Sequence, residues 1–259
     1  MKTRRVVNFT VLVLIALLCA AIALMSGCAL SSAPTVARQD IPQTPAPTPT
    51  PTPSGAFISI EPVTEEGLLN RDSLTAAYSL SVPRISDRRA DEINASYIET
   101  LRYYKEDYLP MMIEDGAYMR DESGEAPALE LACDYKIEYN DGETVSILMR
   151  EGVLMGDFYS EYYYALTYSF AEGREVTLDD VIDTEYSAYA VAAEEIARQI
   201  DEQRSRDNPW GFYDDVDANA VAMVLTDTSF YLNENGRVVL ILNPAFISVC
   251  MSGVCEFPL

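Results

Sequence analysis

Apolar and polar residues alternate most cleanly between Leu129 and Met149. Leu129, Leu131, Cys133, Tyr135, Ile137 and Tyr139 interleave with Glu130, Ala132, Asp134, Lys136 and Glu138. A period of two predicts a half-buried strand with one wet face. Asp141-Gly142 supplies a tight turn, and Val145, Ile147 and Met149 carry the alternation onward, so the segment reads as a β-hairpin. Further on, Tyr162, Tyr164, Leu166, Tyr168 and Phe170 share one face of a strand, while Tyr159, Tyr163 and Ala165 share the other. Apolar area on both faces predicts a central strand covered on both sides. Ser73–Ile85 reads as an earlier strand ending near Pro83. "SFYLNENGRVVLIL" reads as a last hairpin that turns at Asn235-Gly236 and stops at Pro244, and "CEFPL" as a short terminal strand.

Two stretches switch to a helical period. Ile93, Tyr97, Leu101, Tyr104 and Tyr108 fall on one helix face, with Ser86 as the expected cap and Pro110 as the residue that ends or kinks the helix. Tyr189, Ala193, Ile196 and Ile200 form the second stripe, with Glu194 and Arg198 spaced to pair at i,i+4. Between strand and helix, Thr177 with Asp180 three residues on has the form of a capping box. Strands and helices are grouped rather than strictly alternating. The expected fold class is therefore α+β, a mostly antiparallel meander sheet with two main helices packed on it.

Composition narrows the chemistry. The 259 residues carry 18 Lys+Arg against 41 Asp+Glu, and no histidine. Such acidity argues against nucleic acid as a partner, because phosphates are repelled, and it favours cationic ones. The lack of imidazole removes Ser-His-Asp and Cys-His mechanisms and every metal site built on histidine. No cofactor is expected.

The N-terminus reads as an export signal. Lys2, Arg4 and Arg5 precede an apolar run from Val6 to Met25, which ends in Met25-Ser26-Gly27-Cys28. Small residues before a cysteine resemble a bacterial lipobox. The expectation is cleavage after residue 27, lipidation of Cys28, and a chain anchored on the extracytoplasmic face of the bacterial cell membrane. The alternative is an uncleaved single-pass signal anchor, since about 20 apolar residues can span a bilayer. "PQTPAPTPTPTPSG", Pro42 to Gly55, favours extended polyproline conformation and cannot pack a core. Residues 28–55 are thus the expected Thr/Pro-rich linker and 56–259 the folded domain, with subdomains of roughly 56–155 and 156–259.

The order of these elements resembles the RsiV-like extracytoplasmic domains. This family is shared by RsiV-type anti-sigma factors and PdaC-type peptidoglycan deacetylases. The resemblance rests on a helix and a long meander, then "SFAEGREVTLDDVI" (Gly173 through Ile182 holding its hydroxyl-leucine-acid-acid-apolar segment), then "FYLNENGRVVLILNP" with the Asn243-Pro244 corner. It covers roughly Ser73 to Leu259. It implies a stand-alone binding or sensing lipoprotein that recognises a cationic protein, lysozyme among them, or a peptidoglycan component. It does not imply sigma-factor inhibition, because only five residues precede the apolar run. Nor does it imply deacetylation, which needs histidine. The Gly-Gly-Ala-His stretch of many members is absent from "GVLMGDFYSEYY".

Several residues are candidates for chemistry. Asp179-Asp180 reads as charge at a helix N-terminus rather than as a catalytic pair. "DDVDAN" starts like a calcium loop, with Asp215 and Asp217 as weak ligand candidates, but Ala220 and Thr226 stand where that loop needs glycine and glutamate. Tyr159 and Tyr163 are candidate binding aromatics, against a plain role in the sheet core. Cys250 and Cys255 are spaced to close a small disulfide ring, leaving Cys133 as a buried strand thiol; Cys133–Cys250 is the competing pairing. No catalytic residue is assigned. The alternative to a binding module is a cell-wall-active hydrolase using a carboxylate pair.

Overall fold

The computed structural model describes residues 57–71, 73–119, 126–208, 210–250 and 253–259. The signal segment, Cys28 and the linker lie outside them. Among the described residues, no helix is long and apolar enough to cross a membrane.

The architecture is α+β. A six-stranded sheet has the order β1 (Ile60–Arg71), β2 (Leu74–Ile85), β3 (Leu129–Asn140), β4 (Thr144–Met155), β5 (Phe158–Ser169) and β6 (Arg174–Glu175). A second sheet holds β7 (Phe230–Leu232), β8 (Val238–Leu242) and β9 (Cys255–Pro258). All neighbours pair antiparallel except β2 and β3, which run parallel. A parallel pair needs a crossover. Here it is the helical stretch α1 (Asp91–Tyr103), a π-helical segment (Tyr104–Tyr108) and α2 (Leu109–Tyr118). Three short or long helices follow: α3 (Leu178–Val181), α4 (Ala188–Arg206) and α5 (Ala218–Val224).

The expected cap and the expected stop of the first helix both change. Asp87, not Ser86, opens the helical stretch, accepting from the Arg89 N–H at 2.8 Å. Ser86 instead donates its N–H to the Ser59 carbonyl at 2.8 Å. Pro110 does not end the helix. The Leu109 N–H bonds back five residues to the Tyr104 carbonyl. This wider turn comes just before the proline, so the missing N–H falls at the start of α2, where it does least harm. The i,i+4 pair expected at Glu194 is also different: Arg198 binds Glu195 and Glu202.

Two cores result. The inner face of the large sheet packs α1 and α2 through Leu80, Val82, Ile147, Met149, Leu101 and Met112. The second core joins α4 to the small sheet through Ile196, Ile200, Phe230, Leu240 and Phe257. The small sheet also covers the outer face of the large one, where Leu148 and Ala165 meet Tyr231, Val239 and Ile241.

β5 is next to last in its sheet rather than central. Its outer edge meets only two residues of β6, and the remaining polar groups find other partners. The Ala165 N–H donates to the Thr228 carbonyl at 2.9 Å. Asn243 accepts from the Tyr163 N–H at 2.6 Å and donates to its carbonyl at 2.9 Å. A third stitch joins the sheets at Ser146, whose hydroxyl accepts from the Leu232 N–H at 3.0 Å and meets Thr167 Oγ1 at 2.7 Å. The Asn-Pro corner therefore seals a strand edge, which would otherwise be an open template for pairing.

The acidic turn after β5 is structural. The capping box at Thr177 forms, and Asp180 also takes a bidentate pair from Arg174 at 2.7 and 2.8 Å. The Arg174 guanidinium, followed by the Thr177 N–H, holds the Asp180 carboxyl well below the usual carboxylate range. Asp180→Ala is expected to lower stability by about 1 kcal/mol at neutral pH, the usual cost of losing such a cap. The sign follows from the depressed pKa. The contribution is present above the ordinary carboxylate pKa and is lost as pH falls. The variant and the native chain should therefore converge in urea unfolding at strongly acid pH. A constant gap down to the lowest pH would contradict the assignment.

Candidate functional site

The structure brings the two candidate aromatics together over one carboxylate. Tyr159, Glu161 and Tyr163 alternate along β5 and so share its outer face. The Tyr159 hydroxyl donates to Glu161 Oε1 at 2.8 Å, and the Tyr163 hydroxyl to Oε2 at 3.3 Å. From β4, Arg150 reaches the same Oε1 at 3.3 Å and also binds Asp134 of β3. The Gly253 N–H, in the loop before β9, donates to Oε2 at 2.7 Å.

Glu161 thus takes four donors from three segments, and its side chain is only 12% exposed. The arrangement pins the C-terminal loop to the sheet. Gly253 has φ +89°, and a Cβ there would stand 3.2 Å from the Trp210 ring, so the glycine gives both the left-handed turn and the close approach. Gly152, opposite Glu161, makes room in the same way: a Cβ would meet the Tyr159 hydroxyl at 2.9 Å. Tyr159 lies down across that gap and keeps 44% of its surface exposed. The two tyrosines are parts of a polar pin whose outer rim is open to solvent.

Cys250 and Cys255 flank this loop as thiols, not as the expected disulfide. Cys250 Sγ lies 3.2 Å from the Trp210 carbonyl as a donor, which directs it to the polypeptide backbone. Burial pushes the Cys255 thiol up to about 12, with the nearby Cys250 adding to the rise. Cys133 is the buried strand thiol expected, also pushed up to about 12 by burial.

Asp217 is an N-cap. Its carboxylate accepts from the Ala220 N–H at 2.9 Å to start α5. Among the described residues no cluster of three metal-ligating side chains forms. The end of the calcium-like motif, from Asp217 to Asn219, forms this helix start.

One acid was missed in the sequence. Glu151 occupies a core-facing position of β4, between Cys133 of β3 and Tyr162 of β5. The residue is half-buried, and its carboxyl is enclosed, with Tyr103, Tyr104, Tyr108 and Tyr164 as electrostatic neighbours. The Tyr104 hydroxyl donates to Oε2 at 2.5 Å. Burial raises the Glu151 pKa, and the Tyr104 hydrogen bond offsets part of that. Nearby, the Tyr97 hydroxyl is buried without a partner. The signal was legible: Glu151 continues the register of Val145, Ile147 and Met149, where an apolar residue belongs.

No family model matches the sequence, and no curated protein does. Among solved structures, a DUF3298 family member from Bacteroides fragilis NCTC 9343 superposes with a TM-score of 0.54 at 13% identity, covering 80% of this chain and 91% of that one. The chain shares the fold of that structure. A DUF3298 family protein from Pseudomonas aeruginosa PAO1 is similar at a TM-score of 0.46 and 12% identity, over 78% of this chain and 89% of that one. DUF3298 is the bacterial domain family associated with RsiV and PdaC, so the fold expected from the motif order is the fold observed. The likeness is one of architecture and carries no residue-level role.

Proposed function

We propose that this chain is a lipid-anchored binding module of the bacterial cell envelope, displayed on the extracytoplasmic face and directed at a cationic protein. The observation that carries this reading is how the chain uses its acids. The carboxylates with altered chemistry are engaged in structure: Asp87 with Arg89, Asp141 at a turn, Glu151 with Tyr104, Asp180 with Arg174, Glu195 with Arg198 and Asp217 at a helix start. The chain as a whole carries 41 acids against 18 bases, an excess that steers a positively charged partner. The lipobox at Cys28 and the Thr/Pro-rich linker support placement on the membrane.

A hydrolase reading has one observation in its favour, the raised pKa of Glu151. A general acid of that kind needs a second carboxylate across a substrate cleft. Glu151 instead faces the tyrosines of the helix.

Anchoring is tested by Cys28→Ala with metabolic palmitate labelling. The native chain should take up label and fractionate with membranes, and the variant should lose the label. Equal incorporation in both would contradict the anchor.

A further inference from the structure

The free edge of β1 carries an inference that rests on the binding reading and says where the partner sits. β1 is an outermost strand of the large sheet. Pro62 stands opposite Pro83 in its ladder with β2. Neither has an N–H, so this pair exchanges no backbone bonds. Bonded and non-bonded pairs alternate along an antiparallel ladder. It follows that Thr64, Glu66, Leu68 and Asn70 turn their N–H and C=O groups away from β2. Ile85, opposite Ile60, confirms the register: its own N–H and C=O go to the Asn94 side chain at 2.8 and 2.9 Å. Among the described residues, nothing bonds the outward groups of β1 between residues 64 and 70.

Beside this edge, the inner face of β1 and helix α1 leave a groove of about 560 Å³, continued by a second space of about 180 Å³. Val63 lines the first space and Glu65 the second, while Ile98, 51% exposed, lines both. The charges around it are unequal. Glu61, Glu65, Asp91, Glu99 and Glu106 stand against Arg84, Arg102 and Lys105 on the groove side, while Glu66 adds an acid on the opposite face of β1. Two of those bases are already paired, Arg102 with Glu99 and Lys105 with Glu65.

We infer that β1 takes up an extended cationic segment of a partner protein as an added strand. The partner's alternate side chains would enter the groove over Ile98, and its lysines or arginines would meet the acids of β1 and α1. Main-chain bonds supply affinity in such strand addition, and side-chain pockets supply selectivity. The same acids act against pairing with a second copy of this chain, because like charges would face each other across the joint.

The test uses the whole chain in lipid nanodiscs and a ten-residue peptide alternating lysine and valine, with a glutamate-valine peptide as the control. Binding should slow hydrogen exchange at Thr64, Glu66, Leu68 and Asn70 at least tenfold. Leu68→Pro removes one outward N–H and no ladder bond, as Pro62 does in the native chain. It should weaken binding at least tenfold while leaving the melting curve in place. Should that variant fail to fold, Glu61→Lys with Glu66→Lys, both on exposed side chains, should weaken binding by a similar factor. Undiminished binding in these variants, protection elsewhere, equal affinity for the glutamate peptide, or no binding would each overturn the inference. Association of two copies through β1, read by light scattering, would overturn it too. A cationic protein held equally well by the native chain and Leu68→Pro would dismiss the edge and leave the binding module standing; failure to retain any cationic protein would dismiss the module itself.

Discussion

Asn243→Ala should destabilise the protein by about 2–4 kcal/mol. The residue is 7% exposed and bridges the two sheets. Its amide accepts from the Tyr163 N–H and donates to the Tyr163 carbonyl, 80 residues away in sequence. Alanine removes both partners at once and leaves two main-chain groups on the covered edge of β5. An unmade hydrogen bond at a buried group costs about 1–3 kcal/mol, far more than a formed one contributes net. Asn243→Asp is the informative companion, because it keeps the acceptor but sets a carboxylate against a carbonyl. Both variants should lower the urea midpoint, with little change in the slope if the transition stays two-state. A loss under about 0.5 kcal/mol for the alanine variant would show that water or a shifted loop replaces the amide, and that the corner is not a clamp.

Glu151→Gln should stabilise the protein, and by more as pH rises. In the folded chain the carboxyl is enclosed by tyrosines and its pKa is raised by burial. The folded state therefore holds its proton at pH values where the unfolded chain has released it. The contribution is fully present below the ordinary carboxylate range and is lost as pH rises through the raised folded value. Glutamine carries no charge, and its oxygen can still accept from Tyr104, so it escapes that loss. Near pH 4 the two chains should unfold at similar urea concentrations. At pH 8 the variant should be the more stable. Asp87 and Asp180 impose an opposite slope at acid pH, through their Arg89 and Arg174 partners. That slope is common to both chains and cancels in the difference. A variant that is less stable at pH 8 would mean that the ionised carboxylate is favourably held.

These two residues also mark what could and could not be read from the sequence. Alternation exposed β3, β4 and β5, and the helical stripes exposed α1 and α4, because each buries one regular face. β1 escaped because its pattern is broken by Pro62, Gly67 and the doublets Glu65-Glu66 and Leu68-Leu69. An outermost strand tolerates this, since only part of one face is covered. The parallel pairing of β2 with β3 has no local signature; it follows from how the helix returns the chain. The motif order found the fold, and the structure then explained two of its parts, the Thr177 cap and the Asn243 clamp. Tyr159 and Tyr163 were singled out as a pair, but Glu161, which organises them, was not. Its donors come from Arg150 and Gly253, distant in sequence, and no spacing rule reaches them. At Asp217 an N-cap and a metal loop favour the same residue type, so the stretch by itself does not separate the two.

The central claim is that a membrane-anchored acidic domain binds a cationic protein with real selectivity. The most direct measurement is an equilibrium titration of the whole chain, in lipid nanodiscs, with lysozyme and with a neutral protein of similar size, at low ionic strength and at about 0.15 M, where charges beyond roughly 8 Å are largely screened. Lysozyme binding should weaken with salt yet persist at 0.15 M, and the neutral protein should not bind. Binding that vanishes at 0.15 M, or that fails to distinguish the two proteins, would contradict that claim.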